Sequence, residues 1–353
     1  MRTPLVALLA IVALFGATAR AQYTPSAGKN APAEAYVQQD RAVDDVGPAV
    51  IRKVDTPVQR DTHGNAQGNQ YDLAVDGAFN GQTVLILDQN GNTLEDTKAA
   101  LAQKGLAVVI YPGGLTPTPT ELRAALAKSC QLWLQSGDHA LLTDEHLAAI
   151  REFFDAGHGV YIWGDNDPYY VDANRVAQAL IPGLRMEGDL AGNVVVGLQS
   201  GSEEKDFVGL RRGHLITTGI EQLYEGVTIA TIQFTPGQSR NAALYDRTVQ
   251  SGDRHPALPK GFTPLLYGSA GNLVTVAYEA GGKRLVMDGG FTRLAVSWDD
   301  AGTARYVKNA AAWLVNAERF GAAVVATSDL TGDAKGHAKG GTKGPKTTTT
   351  TKL

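Results

Sequence analysis

Between residues 83 and 180, short apolar runs alternate four times with helix-start signals, and this alternation limits the possible folds more than any other feature of the chain. TVLILD (83–88), AVVIYPG (107–113), CQLWLQSG (130–137) and GVYIWG (159–164) are rich in β-branched and aromatic residues and too short for buried helices. After the first run, Asn90-Gly91 makes a turn, and Thr93 is placed to cap a helix through Leu94, Leu101 and Lys104 that stops at Gly105. Thr118-Pro119-Thr120-Glu121 is a capping box with proline at the first helical position. Thr143-Asp144-Glu145 opens a third helix whose Leu147, Ile150 and Phe154 share a face before Gly157 ends it. A fourth helix follows over 172–180. Four βα units with short connections imply an α/β fold: a mostly parallel sheet covered by helices on both faces.

The second half is richer in strands, with NVVVGLQS, GVTIATIQF, NLVTVAYEA and KRLVMDGGF. A closing helix over 304–319 carries Tyr306, Ala310, Trp313 and Leu314 on one face and is expected to pack back on the sheet. No repeat with a period of 20 to 50 residues is visible.

The flanks read differently. Residues 1–21 have a basic start at Arg2, an apolar run and the small-residue exit Ala19-Arg20-Ala21, the pattern of a signal peptide cleaved before Gln22. The run is too short for a stable membrane anchor, so the chain is expected to be secreted or periplasmic. Removing Arg2 and Arg20 takes the formal net charge from −4 to −6, and no basic surface calls for nucleic acid. The single cysteine, Cys130, cannot form an intramolecular disulfide, so an exported fold must be held by its core. Residues 22–70, rich in Ala, Gln, Asp, Gly and Pro, read as an extended leader or a strap. Residues 71–326 form the α/β domain. Residues 327–353, Gly/Lys/Thr-rich with five lysines against two aspartates, read as a disordered tail.

The chain resembles the class I glutamine amidotransferase-like domains, of flavodoxin-like fold, and within them the non-catalytic or uncharacterised secreted and periplasmic relatives. The resemblance covers about residues 80–318. It rests on the order of the four strands, on DAGHG before the fourth, on GHLITTGI (213–220), which looks like the family's "HPIT-x-G" segment, and on KRLVMDGGF followed by NAAAWL. It implies a strained cysteine nucleophile just after the fourth strand and an oxyanion loop after the third. Ser136-Gly137-Asp138 stands where that loop belongs. The elbow, however, falls on Gly164 or Asp165, Cys130 lies at the opposite end of its strand, and Met287-Asp288-Gly289 stands where a histidine is sought. The Cys-His pair is missing, and the resemblance therefore implies a binding domain with a degenerate elbow.

Three constellations remain at the strand ends, where open α/β sheets bind ligands. Asp165, Asn166, Asp167, Asp172 and Asn174 offer oxygen ligands, so Asp165, Asp167 and Asp172 are the metal candidates and calcium the candidate ion. The spacing matches no EF-hand, and Asp-Asn-Asp-Pro is good turn chemistry. Asp165 and Asp288 both follow strands and could form a carboxylate pair for hydrolysis of glycans or amides. The plainer reading is that each caps a helix or pairs with an arginine such as Arg293. Tyr169 and Tyr170 could stack on a sugar, whereas Trp163, alternating with Tyr161, reads as core. Of the histidines, His139 is the best placed for chemistry. His146 flanks the same loop, His214 reads as a turn residue, and His158 lies at the far end of its strand. Ser136, Gly137, His139, Asp165, Asn166, Asp167, Tyr169, Tyr170 and Asp288 thus form the expected ligand edge. The expected ligand is a small molecule, a glycan or a protein, with no nucleotide cofactor, since the glycine dipeptides lack phosphate-loop spacing. A carboxylate-based, calcium-dependent hydrolase and a wall or matrix component acting through its tail are the rival readings.

Overall fold

The computed structural model describes residues 23–24, 27, 58–199, 208–234, 258–295, 298 and 301–320, with the backbone alone of 37–43 and 51–57. The signal peptide and the Gly/Lys/Thr-rich tail read from the sequence lie outside the described residues.

The strands are β1 (Val37–Val43), β2 (Ile51–Pro57), β3 (Gln82–Asp88), β4 (Leu106–Tyr111), β5 (Gln131–Gln135), β6 (Gly159–Trp163), β7 (Arg185–Ala191), β8 (Val195–Gly197), β9 (Gly209–Leu210), β10 (Gln222–Tyr224), β11 (Thr228–Gln233), β12 (Phe262–Tyr267), β13 (Leu273–Ala280) and β14 (Lys283–Asp288). The α-helices are α1 (Glu95–Gln103), α2 (Pro119–Leu126), α3 (Asp144–Asp155), α4 (Val171–Leu180), α5 (Thr292–Ala295), α6 (Thr303–Leu314) and α7 (Ala317–Phe320). Eight strands form one sheet in the order β4-β3-β5-β6-β14-β13-β12-β9. The first five are parallel and the last three run antiparallel. The parallel part has the flavodoxin-like order, with its switch point between β3 and β5.

The central strands are buried along their whole length, which is why they read as continuous apolar runs. Val84, Ile86, Trp133, Tyr161, Trp163 and Val286 share one core with Leu101 of α1 and with Tyr306, Ala310 and Trp313 of α6. Leu85, Leu132, Leu134, Val160, Ile162 and Leu285 pack on the other face with Leu122, Ile150, Phe154 and Val176 from α2, α3 and α4. β4, at the edge, is only half-buried from Val108 to Tyr111.

The Thr118/Glu121 capping box forms as the sequence indicates. Two local expectations are corrected. Thr93 does not cap α1, which starts at Glu95 behind Leu94 with no side-chain cap. The closing helix also breaks in two. Asn316 takes a left-handed conformation (φ 56°) between α6 and α7, and its amide donates to Gly157 O and Gly282 O. Asparagine tolerates that conformation better than most residues.

The long connection from β6 to β14 adds two antiparallel ribbons, β7–β11 and β8–β10. Before the sheet, β1 and β2 pair as a hairpin, and Leu73, Ala74 and Phe79 enter the α1/α6 core. Among the described residues no helix is long and apolar enough to cross a membrane.

Candidate functional site

The ends of β3, β5, β6 and β14 set Asp88, Gln135, Trp163 and Asp288 side by side in register. All four are buried, and the chemistry of this edge depends on what each polar group is bonded to.

Asp288 is fully buried. Its carboxylate takes one hydrogen bond from the Arg293 guanidinium at 3.1 Å and a second ion-pair contact with it at 3.1 Å, and accepts one hydrogen bond each from Tyr306 (2.9 Å), Thr275 (3.0 Å) and Gly290 N–H (3.1 Å). Burial raises its proton affinity, and Arg293 opposes the rise. Arg293 also donates to Glu225 O at 2.7 Å and lies over the Trp163 ring, 5.8 Å from its centre.

Asp165 lies two residues beyond the end of β6 and is 1% exposed. Burial pushes its carboxyl up to about 6, against hydrogen bonds with Thr228, Asn166 and Thr292. It accepts from Asn166 N–H at 2.8 Å and from Thr292 N–H, at the start of α5, at 3.2 Å. The plainer sequence reading describes both carboxylates: Asp165 meets the start of a helix and Asp288 pairs with Arg293. Neither reaches solvent, which a hydrolytic pair requires.

β11 roofs this part of the edge. Ala230 N–H donates to Gly289 O at 2.7 Å, and Asn272 donates to Ala230 O at 3.3 Å. A Cβ on Gly289 would meet Ala230 O at 2.8 Å, so the close approach requires glycine there.

The acidic loop is also divided. Asp172, fully buried, accepts from Leu141 N–H (2.8 Å), Leu142 N–H (3.0 Å) and Gln89 (2.8 Å), and pairs with Arg175 at 2.9 Å. It shapes the loop between β5 and α3. Asp167 is exposed, and Asp165 faces α5. The three metal candidates therefore serve three different partners, and among the described residues no group of three His, Cys, Asp or Glu could hold a metal ion.

Asn166 is half-buried and donates to Asp167 O at 3.1 Å. Tyr169 packs edge-on against Phe291, ring centres 6.2 Å apart. Burial and the Asp167 carboxylate push the Tyr170 phenol up to about 12. Ser136 is buried and accepts from Ala173 N–H at 3.2 Å, while Gly137 N–H donates to Gln89 at 3.1 Å. His139 is exposed and pairs with its neighbour Asp138. Among the described residues no serine or cysteine is bonded to it.

The remaining groups are structural. Cys130 is buried at the start of β5, its thiol pushed up to about 12 by desolvation. His146 bonds Pro117 O at 2.7 Å. His158 is stacked between Phe153 and Phe320. His214 accepts from Ile216 N–H at 3.1 Å, and burial lowers it to about 4.

The open part of the edge lies beside the switch point. A shallow cleft, with about 10 Å³ of free volume, is bounded by Leu87, Asp88, Gln89, Tyr111, Leu115 and Leu142, with Pro112 and Pro117 among its other walls. Asp88 is held by Asn90 and Gly91 N–H, both at 3.0 Å, and Gln89 by Gly137 and Asp172. The free surface of the cleft is therefore largely apolar. Sequence reasoning missed Gln89, Tyr111 and Leu115. The available signal was their position at the ends of β3 and β4, beside the switch point.

No family model matches the chain, and no curated protein matches it. Among the solved structures that are similar in part are three of different kinds. One is a Thermoplasma acidophilum protein assigned to GMP synthase as one of its subunits (13% identity, TM-score 0.37, 67% of this chain and 96% of that one). Another is an exo-β-1,4-mannosidase from an Opitutaceae bacterium (12%, 0.33, 66% and 36%). The third is Agd3, a carbohydrate deacetylase (12%, 0.36, 66% and 32%). The chain spans about a third of the length of the last two.

Proposed function

We propose that this is an exported, non-catalytic binding domain of amidotransferase-like fold, and that its ligand sits in the cleft beside Tyr111 and Leu115. One observation carries the reading. The carboxylates at the β6 and β14 ends, Asp165 and Asp288, are bonded internally and roofed by β11, whereas the β3/β4 end is open, concave and apolar. Open α/β sheets bind ligands outside the carboxyl ends of their strands, at a switch point, and this cleft lies there. The elbow has no nucleophile, Cys130 is buried at the wrong end, and His139 has no hydroxyl or thiol to activate among the described residues.

The test is chemical-shift mapping of the mature chain against panels of soluble oligosaccharides, peptides and small aromatic acids. Perturbations should centre on Gln89, Tyr111 and Leu115, and Tyr111→Ala should abolish them. Ligands that perturb only residues 165–170 would move the site to the acidic loop and overturn this placement.

The rival reading, a carboxylate hydrolase, has one observation in its favour: an acid held near 6 suits proton donation at neutral pH. It requires turnover of glycoside or amide substrates that Asp165→Asn eliminates, and none is expected. Calcium has no place in the favoured reading, so melting curves in EDTA and in millimolar calcium should coincide. A calcium-induced rise that Asp165→Asn/Asp167→Asn loses would restore the metal loop, since ligand at about 100 times its Kd adds about 2.7 kcal/mol. Export predicts a secreted product whose first residue, by mass spectrometry, is Gln22.

A further inference from the structure

Away from the cleft, Lys308 of α6 meets Asn69, at the start of the short 3-10 turn Asn69–Tyr71 that precedes β3. Lys308 is 6% exposed. Its Nζ donates to Asn69 Oδ1 at 3.2 Å and touches Asp72 Oδ2 at 2.6 Å. A carbonyl bond is about 1.23 Å long, so Nζ lies no more than about 4.4 Å from Asn69 Cγ. The Asn69 amide is held in place, because its nitrogen donates to Asp76 Oδ2 at 3.2 Å. A nucleophile, an electrophilic carbon and a proton acceptor therefore stand in contact.

Charge gives this arrangement a direction. Lys104, Lys308 and Arg305 all pair with Asp72, and Lys104 also pairs with Asp76. Among the described residues of the cluster, three cations share two carboxylates. An unmatched charge is costly where it is buried. Burial holds the Lys308 ammonium below its ordinary value, opposed by Asp72 and assisted by Lys104 and Arg305. Desolvation beside other cations is what makes a lysine amine nucleophilic.

We propose that Lys308 and Asn69 are joined by an amide bond that the folded chain forms by itself. Asp72 takes one proton from the Lys308 ammonium. The freed Nζ attacks Asn69 Cγ; the Nζ–Cγ bond forms and the Cγ–Nδ2 bond breaks. Nδ2 leaves with a second proton from Nζ and with the one that Asp72 held, so ammonium departs and Asp72 is a carboxylate again. The balance needs no oxidant and no other reactant. Asn69 is exposed, which gives the ammonium a way out. Holding the two groups in contact replaces an encounter in solution and supplies much of the rate.

The charge count selects this pair over its neighbour. With Lys308 in a neutral amide, Lys104 and Arg305 face Asp72 and Asp76, two charges against two. Lys104 also touches Asp76, at 2.6 Å, but coupling those two would remove one charge of each sign and leave Lys308 and Arg305 on Asp72 alone. The bond does for this chain what a disulfide does for many exported ones. Cys130 is the single cysteine, whereas the amide ties the segment before β3 to α6. It is independent of the cleft and of what binds there.

The experiment is peptide mapping of the full mature chain, purified folded, then denatured and digested with trypsin beside Lys308→Arg and Asp72→Asn. Intact mass alone does not decide, because an N-terminal Gln22 loses the same ammonia when it cyclises. The expected native digest contains residues 61–98 joined to residues 306–319, uncut at Lys308 and lighter than the two peptides together by one ammonia, about 17 Da. Lys308→Arg should give the two regions separately, and Asp72→Asn should lower the linked fraction about tenfold or more. A native digest with the two regions apart overturns the proposal, whether or not Asp72→Asn folds. A link from Lys308 to Gln103, whose Oε1 lies 3.3 Å from Nζ, overturns the assignment to Asn69. A link that forms as fully in a folded Asp72→Asn overturns the role given to Asp72.

Discussion

Asp165 is buried and His214 half-buried, and desolvation displaces them in opposite directions on the pH scale: the carboxyl up to about 6, the imidazole down to about 4. Their effects on stability have opposite signs. Asp165 holds a proton in the folded chain that the unfolded chain loses above its ordinary 3.8. Its contribution is complete below that value and is lost as pH rises through 6. His214 stays neutral in the folded chain while the unfolded imidazole protonates below its ordinary 6.5. Its contribution is complete above 6.5 and is lost as pH falls through 4. Each displacement of about two units corresponds to about 3 kcal/mol, so the two nearly cancel in the native protein. Urea unfolding at pH 4 and 6.5 should separate them. Relative to native, Asp165→Asn should gain about 3 kcal/mol between pH 4 and 6.5, and His214→Gln should lose about as much. Parallel curves would show that neither group titrates as its burial requires. The same scale marks the limit of sequence reading. That no cysteine or serine follows the fourth strand is legible in Gly164-Asp165, because it needs only neighbouring residues. The work of Asp172 is not, because Leu141 and Leu142 lie some 30 residues away and nothing local foretells the contact.

At the scale of elements, signals confined to a few residues were legible and signals of neighbourhood were not. The capping box at α2 needs only four residues, and it forms: Thr118 accepts from Glu121 N–H at 3.3 Å while Glu121 accepts from Thr118 N–H at 2.8 Å. Thr93, with no such partner, looked equally suitable and does not cap α1. Thr118→Ala should therefore cost about 1 kcal/mol, whereas Thr93→Ala should stay within about 0.5 kcal/mol. Equal losses in thermal unfolding would contradict this distinction. AVVIYPG reads like the central strands because composition does not encode a strand's neighbours, so the open edge of β4 could not be seen in the sequence. The roof was hidden for a similar reason. GVTIATIQF shows that β11 is a strand, but its crossing over Gly289 depends on a contact some 60 residues away. That crossing covers the β6/β14 end of the sheet and leaves the β3/β4 end open.

At the scale of the whole molecule, the segment before β3 decides whether the sheet stands alone. Asp72, fully buried, is bonded to Arg305 (2.8 Å), Lys308 (2.6 Å) and Lys104 (2.9 Å). One carboxylate thus joins this segment to α6 and to the end of α1. Around it, Leu73 N–H donates to Asn309 at 2.7 Å, and Thr24 bonds the backbone of Asp72 and Leu73. Tyr23 donates to Glu318 at 2.9 Å, its phenol held well above its ordinary value by burial. Removing one partner from a buried ionic group leaves uncompensated charge and costs about 3–5 kcal/mol. In Asp72→Asn, Lys104 keeps only Asp76, while Lys308 and Arg305 lose their shared carboxylate and repel one another. For a chain of this size each kcal/mol moves the melting point by about 2–4 °C, so Asp72→Asn should melt about 10 °C lower. Adding Lys308→Met should recover part of the loss, because it removes one of the stranded charges without opening a large cavity. Recovery would assign the loss to electrostatics. A double variant that melts no higher than Asp72→Asn would assign it to packing. An Asp72→Asn chain that melts with the native one would show that the segment adds no stability to the sheet, which would then have to fold from β3 onward on its own.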